Sequence, residues 1–180
     1  MKTMTKTPGK RRSSGFSMIE VLVTLVLISI GVLGMVALQA RTIQYTQDAV
    51  QRNTAGMLAN DLVELIRAMP DGLPASSDFY NAQGTALPDL PTSCTPLPES
   101  AADQLGCWAE KVRNALPGAS DLLASEFYVC RTNTANSCSG SGNAIEIQLA
   151  WRVKEGDCVV PGTEPGADKT ICRYRLRTQI

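Results

Sequence analysis

The chain has 180 residues, 17 basic and 17 acidic side chains, six cysteines and no histidine, which is room for one domain plus whatever the N-terminus carries. Without histidine there is no His-based zinc site, Ser-His triad or Cys-His nucleophile, and no Cys-x-x-Cys pair supplies a redox motif, so no enzyme activity, cofactor or metal is expected. The first fifteen residues hold Lys2, Lys6, Lys10, Arg11 and Arg12 and no acid; taking these five from the seventeen leaves twelve basic against seventeen acidic side chains, a net charge of −5 that suits general nucleic-acid binding poorly.

The basic leader runs into residues 21–40, twenty positions without a formal charge and rich in Val, Leu and Ile. As a helix this stretch is roughly 30 Å long, the thickness of a bilayer's hydrocarbon core. Positive charge before the span predicts a cytoplasmic leader and an exported remainder. All six cysteines (Cys94, Cys107, Cys130, Cys138, Cys158 and Cys172) lie beyond residue 90. They then fall on the oxidising side, where an even number suggests disulfides. A secretory signal has its small-residue cleavage site after the apolar run. Here Ser13-Ser14-Gly15 stands before it, followed by Phe16. Glu20 is a carboxylate at the edge of the span with no basic neighbour in sequence, costly in lipid unless it finds a partner. A cut after Gly15 would turn the amine of Phe16 into a cation four residues away, within reach of Glu20 on the same helix or on an adjacent subunit.

The run Gly15-Phe16-Ser17-Met18-Ile19-Glu20-Val21-Leu22-Val23-Thr24-Leu25 resembles the class III leader junction of type IV prepilins and pseudopilins. Its continuation, from Ile28 through Gly31 and Gly34 to Gln39, is similar to the PilV group of minor pilins. The resemblance implies cleavage between Gly15 and Phe16 by a prepilin peptidase, N-methylation of Phe16, and Glu20 as the assembly residue. It implies a single-pass protein of the bacterial inner membrane with its head in the periplasm, later a pilus subunit at the cell surface. The implied partners are the peptidase, other minor and major pilins, and a tip adhesin. The implied role is priming or modifying assembly in a tip complex, with effects on adhesion, twitching motility and DNA uptake. A GspI-like minor pseudopilin of a type II secretion system shares the junction and layout and is the alternative; a signal-anchored periplasmic enzyme is the rival from another class. Major pilins often carry a proline further along this helix, where the chain has Ala37 and Leu38. Gly31 and Gly34 suit close packing of membrane helices.

Beyond the span the sequence stays helix-compatible to Met69, and Pro70 ends it. Met57, Leu58, Leu62, Leu65, Ile66 and Met69 repeat at three- and four-residue steps as one apolar stripe, leaving Asp48, Arg52, Asn60, Asp61, Glu64 and Arg67 on other faces. Residues 16–69 therefore read as a single helix, with 18–40 in the membrane or filament core and the second half against a head formed by 70–180. Residues 70–99 hold six prolines and read as loop. Ser100, with Asp103 three residues on, opens a helix that buries Leu105, Trp108, Ala109, Val112 and Leu116 and stops at Pro117-Gly118.

Three strands are expected next. The first is 126–131. In the second, 144–153, Ile145, Ile147, Leu149, Trp151 and Val153 face inward, and Glu146, Gln148 and Arg152 outward. The third, 170–180, sets Cys172, Tyr174, Leu176 and Ile180 against Arg173, Arg175 and Arg177. Connections at 139–143 and 155–168 suit antiparallel hairpins. The fold class is α+β, a long N-terminal helix on a small antiparallel sheet, which is also the fold implied by the type IV pilin resemblance.

Three constellations stand out. Neighbour pairing would join Cys94–Cys107, Cys130–Cys138 and Cys158–Cys172, one of fifteen arrangements six cysteines allow. Arg173, Arg175 and Arg177 form a basic row, either a contact for DNA phosphates or a salt-bridged sheet face with Glu126 and Glu146 opposite. Glu155, Asp157, Glu164 and Asp168 offer oxygens of the kind calcium takes, but without EF-hand spacing, so a solvated loop is the default. Trp108 and Trp151 are expected in the core.

Overall fold

The computed structural model describes residues 15–69, 76–158 and 167–179. Helix α1 (Met18–Ala68) begins in one compact unit, which ends at Thr42, and continues in a second, which starts at Ile43.

In the second unit α1 is followed by α2 (Ala101–Ala115), a 3-10 turn (Ala119–Asp121), and strands β1 (Tyr128–Thr132), β2 (Ala144–Arg152) and β3 (Ile171–Gln179). The strands form an antiparallel sheet in the order β1-β2-β3. A long helix with an apolar stretch is thus packed on a small three-stranded antiparallel sheet, the expected α+β layout.

The apolar residues of α1 that are buried are Ala55, Leu58, Ala59, Leu62, Val63 and Ile66, with Leu65 partly buried against the same core. Their three-and-one spacing is one face of a 3.6-residue helix. Each large side chain there gains about 1.5–3 kcal/mol by leaving water. Met57, expected in this stripe, is instead 70% exposed, and Val63 takes the buried place. Asp48, expected on a solvent face, is only 3% exposed. Hydrophobicity alone does not reveal it, because its cover comes from residues more than a hundred positions away.

Helix α2 starts where its cap predicts. The Ser100 Oγ accepts from the Asp103 amide at 3.1 Å and donates to Asp103 Oδ2 at 2.7 Å, closing the box through the hydroxyl. It ends at Leu116, and Gly118 supplies the left-handed φ of 62° that turns the chain out of the helix. Trp108 lies under α1 and donates its indole N–H to the Leu58 carbonyl at 2.8 Å. Gly106 lets the Pro-rich segment lie across α2: a Cβ there would sit 2.4 Å from the Asp89 carbonyl oxygen.

That segment does more than connect. Phe79 and Leu87 belong to the core, and Asn81 exchanges two backbone hydrogen bonds of 2.8 Å with Val129 at the outer edge of β1. β1 starts two residues later than the sequence suggests, leaving Glu126 free of the ladder for a side-chain role.

The alternation read along β2 holds for the inward face, with Ile145, Ile147, Leu149 and Trp151 in the core. It fails outward. Glu146 and Gln148 are each 1% exposed rather than solvated. Gln148 is engaged by the Glu126 carbonyl and by Arg175, and Glu146 by the connection between β1 and β2, which folds back over it. Cys130–Cys138 ties it down, and the Asn136 amide donates to Glu146 Oε2 at 3.0 Å. Val153 lies just past the end of β2, half-buried; Ile180 and Glu164 lie outside the described residues.

Candidate functional site

Gly15, Phe16 and Ser17 precede the first turn of α1, and all three are exposed. The Ser17 carbonyl accepts from the Glu20 amide at 3.0 Å and the Val21 amide at 3.3 Å. Glu20 is the acid of the first turn, where a carboxylate meets the partial positive charge of unpaired helix N–H groups. From Phe16 to Leu38 the large apolar side chains are uncovered. The helix is long and apolar enough here to cross a membrane. Two hydroxyls within this stretch return their hydrogen bonds to the helix itself: Thr24 to Val21 O at 2.9 Å and Ser29 to Leu25 O at 2.7 Å. Neither then needs water, which a lipid or bundled environment lacks. The helix runs unbroken through Gly31 and Gly34, where an added Cβ would meet nothing within 4 Å.

In the second unit the cysteines are bonded as Cys94–Cys107, Cys130–Cys138 and Cys158–Cys172, with Cα–Cα distances of 5.8, 5.6 and 5.7 Å. The first ties the Pro-rich segment to α2, the second holds the β1–β2 connection over the sheet, and the third joins the chain after β2 to β3. Chain-entropy arguments give roughly 3 kcal/mol for closing a loop of about fifteen residues.

The model of the prokaryotic N-terminal methylation motif matches residues 10–36, and that of type IV pilin Tt1218 matches residues 37–150. The chain belongs to the Tt1218-like family of type IV pilins. That family is one of structural subunits and not of enzymes. No curated protein and no solved structure matches this pilin. Its methylation motif and apolar helix are those of a membrane-anchored pilin, processed by a prepilin peptidase and assembled with other pilins.

The pilin's basic row is engaged within the head. Arg173 grips Glu126 through Nε at 2.7 Å and Nη2 at 3.0 Å. Arg175 donates to Gln148 Oε1 at 2.5 Å and to Asn136 Oδ1 at 2.9 Å, and Arg177 donates to the Asn133 carbonyl at 2.7 Å. Glu126 is therefore the carboxylate partner of the row. Glu146, opposite Arg177 in register, is not: it accepts from the Tyr128 hydroxyl at 2.6 Å and from Asn136. In the acidic loop, Asp168 Oδ1 accepts from the Thr170 amide at 2.8 Å and hydroxyl at 2.6 Å. These bonds hold its carboxyl below the usual value. Trp108 and Trp151 are buried, with the Arg52 guanidinium 5.8 Å above the Trp151 ring.

Tyr128 supplies a pH signature. Burial first, then its hydrogen bond to Glu146 and that group's charge, push its hydroxyl well above the ordinary 10.0, with Arg175 pulling weakly the other way. Because the folded value is raised, its contribution is complete below pH 10 and is lost as pH climbs toward the folded value. The head is therefore expected to lose stability above about pH 10 more steeply than a Tyr128→Phe variant does. Urea midpoints measured between pH 8 and 11 check this, and parallel curves for the two proteins would refute it.

Proposed function

We propose that this pilin is a minor subunit of a type IV pilus, of the PilV kind, which primes or modifies assembly as part of a tip complex. The observation that carries the proposal is the junction: Gly15, Phe16 and Glu20, correctly spaced before an uncovered apolar helix and inside the methylation motif. In this reading residues 1–15 are a leader removed in the inner membrane, 16–69 are the helix, with 18–40 in lipid and then in the filament core, and 70–180 are the periplasmic head. Cleavage frees the amine of Phe16, which is methylated and neutralises Glu20 of a neighbouring subunit. During assembly the apolar surface passes from lipid to like helices without meeting water, so little hydrophobic free energy is lost. Adhesion, twitching motility and DNA uptake would follow through the pilus.

Mass spectrometry of the protein from its native host tests the first step. The expected N-terminus is methylated Phe16. A working protein that keeps its first fifteen residues overturns the proposal. A deletion strain then separates the PilV kind from a GspI-like pseudopilin, since the first loses pili and the second retains exoproteins.

A further inference from the structure

Asp48 is a charged residue that the assembly reading does not use. It lies on α1 at 3% exposure, and one turn further on the Nε of Arg52 donates to its Oδ2 at 2.7 Å. Its other oxygen, Oδ1, is 3.7 Å from Cys172 Sγ, and Arg52 Nη2 is 3.9 Å from Cys158 Sγ. The sulfurs are bonded to each other. Neither carries a proton, so the carboxylate faces Cys172 without a hydrogen bond. The ligand-type atoms of Asp48, Cys158 and Cys172 lie within 4.8 Å of one another. With both sulfurs spent on the disulfide, the group offers no thiolate to a metal.

We infer that Asp48 protects the Cys158–Cys172 disulfide from thiol exchange, because it opposes the departure of Cys172 that attack on the less deeply buried cysteine, Cys158, requires. In exchange, an incoming thiolate bonds to one sulfur and the other departs with the electron pair of the broken S–S bond. A dithiol's second thiolate then displaces the first protein sulfur, closing its own disulfide and leaving two protein thiolates that take protons from solvent. Attack on Cys158, which is 8% exposed, would expel Cys172 as an anion beside the buried Asp48 carboxylate. Like charge disfavours that departure. Attack on Cys172 would expel Cys158 toward the Arg52 guanidinium, which favours it, but Cys172 is 0% exposed. The less deeply buried route is electrostatically opposed, and the favoured route runs through the more deeply buried cysteine. The other two disulfides each have one half-buried cysteine, Cys94 and Cys138. The attacking class is the small dithiols and dithiol proteins of an oxidising compartment.

The test uses the full-length chain in detergent micelles with dithiothreitol, quenched by alkylation, each cysteine pair being followed by peptide mass spectrometry. Cys158–Cys172 is expected to be the slowest of the three to open. Asp48→Asn keeps an oxygen for Arg52 Nε and removes the charge. It is expected to speed the opening of that pair about three- to tenfold while leaving the other two unchanged. The acceleration should be the same at zero and at low, non-denaturing urea. An unchanged rate in Asp48→Asn, a matching acceleration of all three pairs, or an acceleration that climbs with urea as local opening does would overturn the inference.

Discussion

Glu20→Ala is expected to leave the pilin processed and present in the membrane but missing from sheared pili. The argument begins at the first turn of α1, where Glu20 stands among exposed apolar side chains and the described residues 15–40 hold no basic side chain. In the proposed filament its partner is the freed amine of a neighbouring Phe16. Removing the carboxylate strands that amine in an apolar bundle. A lone charge at the centre of a membrane helix costs about 2.5–3.5 kcal/mol on insertion scales, or roughly a hundredfold in an equilibrium. Immunoblots of sheared pili and of membranes from the same cells provide the comparison. A Gly15 substitution should give the same absence from pili for another reason, since the leader then stays on and no amine forms at Phe16. The N-terminal mass separates the two variants. Wild-type levels of both in pili would end the scheme.

Trp108→Ala should unfold the head far below the melting temperature of the parent. Trp108 is among the largest fully buried side chains, and it spans from α2 to the carbonyl of Leu58 on α1. Truncating a buried aromatic to alanine costs about 3–5 kcal/mol, because the transfer energy is lost and a cavity remains. For a head of this size that corresponds to a fall in Tm of roughly 15–30 °C. Trp108→Phe keeps most of the ring and gives up the indole N–H. It should cost only about 1–2 kcal/mol, since the Leu58 carbonyl keeps its place in the helix ladder. Thermal unfolding of the full chain in micelles, followed by circular dichroism, reads both. A Tm within about 3 °C of the parent for Trp108→Ala would show that the indole does not hold the layers together.

Much of the architecture was legible because periodicity and caps are local signals. The Ser100 cap, the Pro117-Gly118 stop and the inward face of β2 each depend on residues within a few positions of one another, and the fold agrees with them. What escaped depends on cover supplied from a distance. Asp48 carries no sign that the Cys158–Cys172 region will close over it. Glu146 and Gln148 alternate as solvent residues should, until a connection held by Cys130–Cys138 reaches the first and Glu126 and Arg175 engage the second. Phe79 and Leu87 sit in a proline-rich stretch whose lack of period gives no direction to any side chain. At the junction, the roles proposed for Gly15, Phe16 and Glu20 rest on order along the chain and not on folding.

The roof over the sheet changes what β2 can tolerate. From Ala144 to Trp151 every residue is buried, so neither side of the strand is a place where variation comes cheaply. On one side a change of volume meets hydrocarbon. On the other, losing the Glu146 carboxylate leaves the buried Tyr128 hydroxyl without its acceptor, a penalty of about 1–3 kcal/mol for a group stranded away from water. The middle strand of this head has two interiors, one greasy and one polar.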